Sequence, residues 1–384
     1  MKRSVSVRSM VSLMLAALAL TASALAQNQV VLNVSNVEDL YTAVKNPANA
    51  GATLVLAPGS YTLTAKDASN QPRPNGGRLV LQSGMGLVGQ NSYVDFDGDG
   101  VWDPRDDNHD GFQDTDPVRG LIFADPATET IIDAINLSAG GAAIRVGLDN
   151  RVEKLTVRNT NRLLAAIDAN VVPAIGGIRA EIRDCLLEDG QRGIRLATPR
   201  RDGLDSSAVL ERNILRRHLG FFGFGVQIVH ISPSTNSSWD AIVRNNLVYA
   251  NRVGLFVAGE GSTNVTSHVL SMRNVYRQNE LGLGIHVGRD AFSAGGTEGG
   301  NANNTHFTSV GDAILDNIGT SGSGLSGGVV AIAGFITDAR ATPSSNDALD
   351  LQFLGTHWAG NLLGTRRLDL QLYGSLALEA RSPR

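Results

Sequence analysis

One cysteine stands in 384 residues, and aromatic side chains make up only 5% of the chain. A lone Cys185 cannot close an internal disulfide, so the chain must be held by core packing or by metal. Cys185 lies between Asp184 and Leu186 in an apolar alternation and reads as a small buried hydrophobe, not a nucleophile. Long stretches of helical period are nearly absent. Positive charge is also in deficit, with 33 Lys and Arg against 37 Asp and Glu and a net charge of −4. That argues against a nucleic-acid partner, because phosphate binding needs a basic footprint. What is abundant is glycine, 43 residues, and aliphatic residues in short alternating runs between turns. Such a chain is expected to be mostly β-strand.

The stretch from Met1 to Ala26 reads as a secretory signal peptide. Lys2, Arg3 and Arg8 form a basic start, Val11 to Leu20 an apolar run, and Ala24-Leu25-Ala26 a small-x-small cleavage site. The apolar run is too short for a membrane anchor, and no other run approaches spanning length. Removing those three cations takes the net charge from −4 to −7. The mature protein is thus expected to be soluble, exported to the periplasm, cell surface or medium, and monomeric.

From about Ile178 to Gly288 the chain repeats itself. Arg183, Arg212, Arg244 and Arg273 recur at nearly even intervals. After each comes a glycine and an apolar alternation: Gly193-Ile194-Arg195-Leu196, Gly225-Val226-Gln227-Ile228, Gly254-Leu255-Phe256-Val257 and Gly284-Ile285-His286-Val287. The period, roughly thirty residues, marks a stacked architecture. Upstream, Ser35-Asn36-Val37-Glu38 reads as a capping box with Ser35 at the cap, opening a helix from Val37 to about Lys45. Ala52 to Leu63 reads as strand, Pro-Gly turn and strand. A helix placed before the first coil would cover the open end of a strand stack.

The run from Ala52 to Leu63 and the later Arg-Asn repeats resemble the right-handed parallel β-helix proteins of the pectate-lyase-like superfamily, over most of residues 30–340. The resemblance implies an all-β, right-handed parallel β-helix with an N-terminal capping helix. It leaves activity open, because that fold carries lyases, hydrolases, epimerases, esterases and adhesins. Polygalacturonase-type Asn-Thr-Asp and Gly-His-Gly motifs are absent. The epimerase pattern Asp-Pro-His-Asp is echoed only by Asp103-Pro104-Arg105-Asp106, with Arg in place of His.

That echo falls inside an acidic insertion. Asp95, Asp97, Asp99, Val101 and Asp103, then Asp106, Asn108, Asp110, Phe112 and Asp114, fit two successive loops of the form D-x-[DN]-x-[DN]-G. Calcium takes six or more hard oxygens, and the glycine at the sixth position lets alternate side chains converge. Val101 and Phe112 would each offer a backbone carbonyl. Asp106 serves both as the twelfth position of the first loop and the first of the second. This sharing resembles thrombospondin type 3 and dockerin repeats, and it makes Ca2+ the expected cofactor. The expected division is a signal peptide over 1–26, cap and first coils over 27–94, the insertion over 95–117, coils over 118–340 and late coils with a C-terminal cap over 341–384.

Stacked coils place equivalent residues in columns. Ile144, Ile167, Ile194, Val226, Leu255 and Ile285 are expected to form one inward column, and Val146, Leu196, Ile228, Val257 and Val287 another. Asn213, Asn245 and Asn274 are expected to stack at a turn. Between the two apolar columns lie Arg145, Asp168, Arg195, Gln227, Phe256 and His286, each about one coil beyond the last. They are expected to form a continuous outward stripe that tracks an extended acidic polymer, with arginines gripping carboxylates.

Chemistry on such a polymer would draw on charged residues beside the stripe. Elimination on a uronic-acid chain needs a group that neutralises the carboxylate and a base; hydrolysis needs two carboxylates. Candidates are Arg200, Arg201, Asp202, Asp205 and His218, with Arg216, Arg217, His230, Arg289 and Asp290 nearby. The expected function is that of a secreted calcium-binding β-helix protein that binds an acidic polysaccharide. A polysaccharide lyase or glycoside hydrolase and a non-catalytic surface or adhesive protein both remain open.

Overall fold

The structure is a computed structural model that describes residues 30–91, 128–160, 163–170, 176–198, 201–220, 223–231, 234–260, 262–287, 303–319, 327–333, 335–337, 340–342, 348–363, 366–367, 369–373 and 377–381. The signal-peptide reading, the acidic insertion, Arg200, Arg289 and Asp290 fall outside these residues.

Three long parallel sheets define the architecture. One has eleven strands and two have nine, and neighbouring strands in each come from successive turns of the chain. Each full coil contributes one strand to each sheet in a fixed order. In one coil these are Arg192–Thr198, Asp205–Glu211 and Ile214–Arg216; the next begins at Phe224–Ile231. This is the right-handed parallel β-helix. We call the sheet containing Arg192–Thr198 the stripe sheet, that containing Asp205–Glu211 the eleven-stranded sheet, and that containing Ile214–Arg216 the short-strand sheet.

The interior is filled by columns of aliphatic side chains. In the stripe sheet Ile144, Ile167, Ile194, Val226, Leu255, Leu283 and Val329 stack in register and are buried. Burying each such side chain contributes roughly 1.5–3 kcal/mol. The eleven-stranded sheet adds Val152, Ile182, Leu210 and Val243, and the short-strand sheet Val157, Leu187, Leu215, Val248 and Tyr276. Cys185 is buried, and burial pushes its thiol far above the usual range.

The helix Val37–Lys45 packs Leu40 and Val44 inward. Its N-cap is Asn36, not Ser35: Asn36 lies extended, and its Oδ1 accepts from the Asp39 backbone N–H at 2.9 Å. Asn36 Nδ2 in turn donates to Asp39 Oδ2 at 2.7 Å, a side-chain bond that stands in place of the expected box between Ser35 and Glu38. No helix among the described residues is long and apolar enough to cross a membrane.

The turn ladder is displaced by one residue from the expected one. It comprises Asn213, Asn246, Asn274 and Asp312, each amide donating to the next oxygen at 2.9–3.0 Å. Asn245 instead sits one residue earlier with φ 54°, in line with Asp184, Arg212 and Arg273, whose φ values are 53°, 51° and 51°. The cause is register. Glu211 pairs with Arg244, so Arg212 and Arg244 are not equivalent, although both precede an asparagine. A second ladder, Asn251, Asn279, Asn317 and Asn361, runs along the corner between the short-strand and stripe sheets at 2.9–3.2 Å. It too follows a left-handed column: Arg217, Ala250, Gln278 and Asp316 have φ of 51–60°. Each ladder satisfies backbone groups that the corners would otherwise leave unpaired.

Candidate functional site on the stripe sheet

Arg145, Asp168, Arg195, Gln227 and Phe256 do stack in one outward column. His286 does not belong to it. Phe256 pairs with Gly284, and Val257 with Ile285, so Ile285 belongs to the second inward column and His286 lies two residues further along. The two glycines Gly282 and Gly284 explain the slip. Gly282 is the counterpart of Gly193, Gly225 and Gly254. At each of these a Cβ would come within 2.5–2.7 Å of a carbonyl oxygen of the next coil. Gly284 has another role: a Cβ there would meet the Phe256 ring at 2.9 Å.

The stripe is also not an open solvated face. Asp168 and Gln227 are each 1% exposed, and Phe256 and His286 are 0% exposed. Arg145 and Arg195 are half-buried, the Arg195 side chain at 11%. An external ligand thus meets the stripe at Arg145, Arg195 and the half-buried Asn170.

These three surround Asp168. Asp168 Oδ2 accepts from Asn170 Nδ2 at 2.8 Å and from Arg195 at 3.4 Å. Arg145 holds Asn170 Oδ1 through Nε and a terminal nitrogen, at 3.0 and 2.9 Å. Among the described residues Asp168 Oδ1 has no hydrogen-bond partner, nor does Gln227 Oε1. Burial raises the Asp168 carboxyl above its ordinary range, against the opposing pull of Arg195, Arg145 and Arg192. Three arginines against one aspartate leave a local excess of two positive charges on a chain whose net charge is −4.

Beyond the charged part the stripe turns aromatic. Arg192 lies over the Phe224 ring at 5.6 Å, Phe224 stacks on Phe256 at 4.8 Å and 7°, and His286 meets Phe256 edge-on at 4.9 Å. Arg192, Asn170 and Phe224 were not among the sequence candidates. Arg192 and Phe224 pair with each other three residues before the stripe, and Asn170 follows the strand Ala165–Ala169; the signal that could have found them is position, since Arg192 immediately precedes the repeat glycine Gly193 and Asn170 lies two residues beyond Asp168.

The proposed catalytic loop residues do not converge with this cluster. Arg201, Asp202 and Asp205 follow the strand Arg192–Thr198 and are exposed. Asp202 accepts from the Thr235 N–H at 3.2 Å and Asp205 from the Ser238 hydroxyl at 2.8 Å. His218 lies before the strand Phe224–Ile231, at the opposite edge of the stripe sheet. A strand of this length places the two edges about 20 Å apart. His218 is 0% exposed, its N–H donates to the Asn251 ladder at 3.0 Å, and burial lowers its pKa to about 4. It extends the corner ladder and is not presented to a substrate. His230 is an interior residue, with Nδ1 2.6 Å from the Thr198 hydroxyl and Nε2 3.0 Å from that of Ser267. Arg216 and Arg217 are engaged by Glu188 and Asp189.

No family model matches the chain. No curated protein matches it either. Among solved structures it is similar to pectate lyase Pel9A, at 9% identity over 93% of this chain and 79% of that one, with a TM-score of 0.34. It is similar to an alginate lyase from Paenibacillus sp. str. FPU-7 at 12% identity over 91% and 99%, TM-score 0.32. It is also similar to ORF18 of Geobacillus virus E2 at 9% identity over 92% and 66%, TM-score 0.31. At these identities and scores no activity transfers, and the coil architecture stands on the three sheets themselves.

Proposed function

We propose that this chain is an exported, calcium-binding β-helix protein that binds an acidic polysaccharide on its stripe sheet. The observation that carries the reading is the arrangement of Arg145 and Arg195 on either side of Asp168. Two planar forks stand one strand spacing each side of a buried carboxylate, and guanidinium geometry suits carboxylates presented along a chain. The local positive excess would draw an acidic polymer to one place on an acidic protein. The signal sequence and the paired acidic loops support export and calcium.

Binding is preferred to cleavage. The described part of the cluster contains one carboxylate, so hydrolysis between two carboxylates has no support there. Elimination would call on Arg145 and Arg195 to neutralise the uronate carboxylate and on Asp168 Oδ1 to take the neighbouring proton. Asp168 is 1% exposed, which favours a positioning role over a catalytic one.

The test is titration of the mature protein with polygalacturonate, alginate and a neutral glucan, with absorbance followed in the unsaturated-uronate band. Binding to an acidic polymer, weakened by salt and by Arg145→Ala or Arg195→Ala, is expected. Equal affinity for the neutral glucan would overturn the reading. Growth of the uronate band would move the protein from binder to lyase.

A further inference from the structure

A second constellation lies on the eleven-stranded sheet, away from the stripe. Asp240, His268, His306 and Asp350 occupy one register position on four consecutive strands. All four face outward, with side-chain exposures of 55, 42, 46 and 47%. The two imidazoles stack with centroids 5.0 Å apart and planes 20° apart. Each ring is tied at Nδ1 to the carboxylate on its outer side: His268 to Asp240 Oδ1 at 2.9 Å and His306 to Asp350 Oδ2 at 3.5 Å. Neither Nε2 has a partner among the described residues.

The charge around this row differs from that elsewhere on the sheet. Carboxylates on neighbouring coils of the sheet are met by arginine: Glu211 by Arg183 and Arg244, Glu181 by Arg183. Asp240 and Asp350 have only histidine. The flanking outward columns hold Ile242, Leu270, Thr308 and Gln352 on one side and Ser238, Thr266, Asn304 and Ala348 on the other, with no cation. With neutral imidazoles the row carries two uncompensated negative charges. A carboxylate on Nδ1–H fixes the tautomer that leaves the lone pair on Nε2, the arrangement in which metal-binding histidines are usually held.

We propose that His268 and His306 form a surface site for a divalent transition-metal ion, bound through the two Nε2 atoms and oriented by Asp240 and Asp350. Imidazole nitrogen suits Cu(II), Ni(II) and Zn(II), with Cu(II) bound most tightly of these. Metal–nitrogen bonds of about 2.0 Å bring two ligating nitrogens within about 4 Å of each other. An imidazole lone pair lies in the plane of its ring, so rings stacked at 20° must turn toward each other for both Nε2 atoms to reach one ion, a rotation open to side chains 42 and 46% exposed. No group of three or more metal-binding side chains occurs among the described residues, so water completes the shell. The site is independent of the polysaccharide reading and of the acidic loops.

The test is titration of the full mature protein with Cu(II) in excess calcium, which occupies the acidic insertion. Affinity is read by competition and the ligands by electron paramagnetic resonance. One equivalent of Cu(II) with hyperfine coupling to two imidazole nitrogens is expected. His268→Gln or His306→Gln should each weaken binding at least tenfold, and Asp240→Asn by about tenfold through the lost orienting bond. Thermal unfolding of the metal-free variants reports folding separately, and the wild-type spectrum stands whether or not they fold. Unchanged affinity in the doubly substituted protein, or a wild-type spectrum without nitrogen coupling, would overturn the proposal.

Discussion

Asp168 and Arg195 face each other across adjacent parallel strands, with a guanidinium nitrogen 3.4 Å from Oδ2, while Asp168 Oδ1 is buried without a partner among the described residues. A carboxylate so placed depends on its arginines more than they depend on it. Arg195→Met should therefore destabilise the fold by about 2 kcal/mol, because it removes the arginine hydrogen-bonded to the buried carboxylate and leaves Arg145 and Arg192 acting at longer range. Asp168→Asn in the same background should recover most of that loss. Denaturant midpoints of the two single variants and the double variant check this; additive losses would contradict it.

The ladders make a sharper contrast. Asn246 is fully buried, and its amide nitrogen lies 2.9 Å from each of three acceptors, Leu210 O, Arg244 O and Asn274 Oδ1, which share its two N–H groups. Asn246→Ala should cost about 2–3 kcal/mol, since it strands buried backbone and amide groups. Asn245, one residue earlier, holds only the left-handed turn at φ 54°. Asn245→Gly should change stability by less than about 1 kcal/mol. Reversed magnitudes in thermal or denaturant unfolding would place the ladder at the wrong residue.

Interior histidines impose a pH dependence. Burial lowers His230 from 6.5 to about 4. The folded state holds it neutral while the unfolded chain takes up a proton near pH 6.5. Its contribution is complete above that value and is lost as pH falls toward the folded-state value, about 3 kcal/mol over the window. Asp168 and Asp312, raised by burial, act in the opposite sense: their contribution is present at low pH and fades as pH rises through their folded-state values. The measurement is therefore a difference. Relative to wild type, His230→Gln should gain stability steadily from about pH 6.5 down to about pH 4.5. A difference independent of pH would show that His230 takes up its proton in the fold as readily as in the unfolded chain.

Calcium should act on the acidic stretch alone. So many carboxylates repel one another without a cation, so chelation should open the insertion at 95–117 to protease while the coils stay intact. Equal cleavage rates with and without calcium would remove the metal from the account.

The coil architecture was legible because its cause is local and repeated. Alternation puts aliphatic residues inward at every turn, and the coil recurs closely enough to be counted. Ile144, Ile167, Ile194, Val226 and Leu255 fall into one column on spacing alone, as they do in the structure. Register at the corners was less legible. Arg212-Asn213 and Arg244-Asn245 look equivalent, yet the stack aligns Arg212 with Asn245, because the left-handed turn accepts either residue and the buried ladder position selects Asn246. Gly282 and Gly284 offered two alignments, and only the close approach of backbones between coils chose the first.

By itself, then, the sequence determined the fold class, the helix at its start and the set of side chains on each face, since those follow from period and polarity along one strand. The tertiary structure decided what those faces are. It buried Asp168, Gln227 and Phe256, removed His286 from their column, carried His218 into a ladder, and set His268 beside His306 from the next coil. Outward direction is a property of a strand, but exposure and neighbourhood depend on how coils stack and on what else packs against them, and no local pattern encodes that.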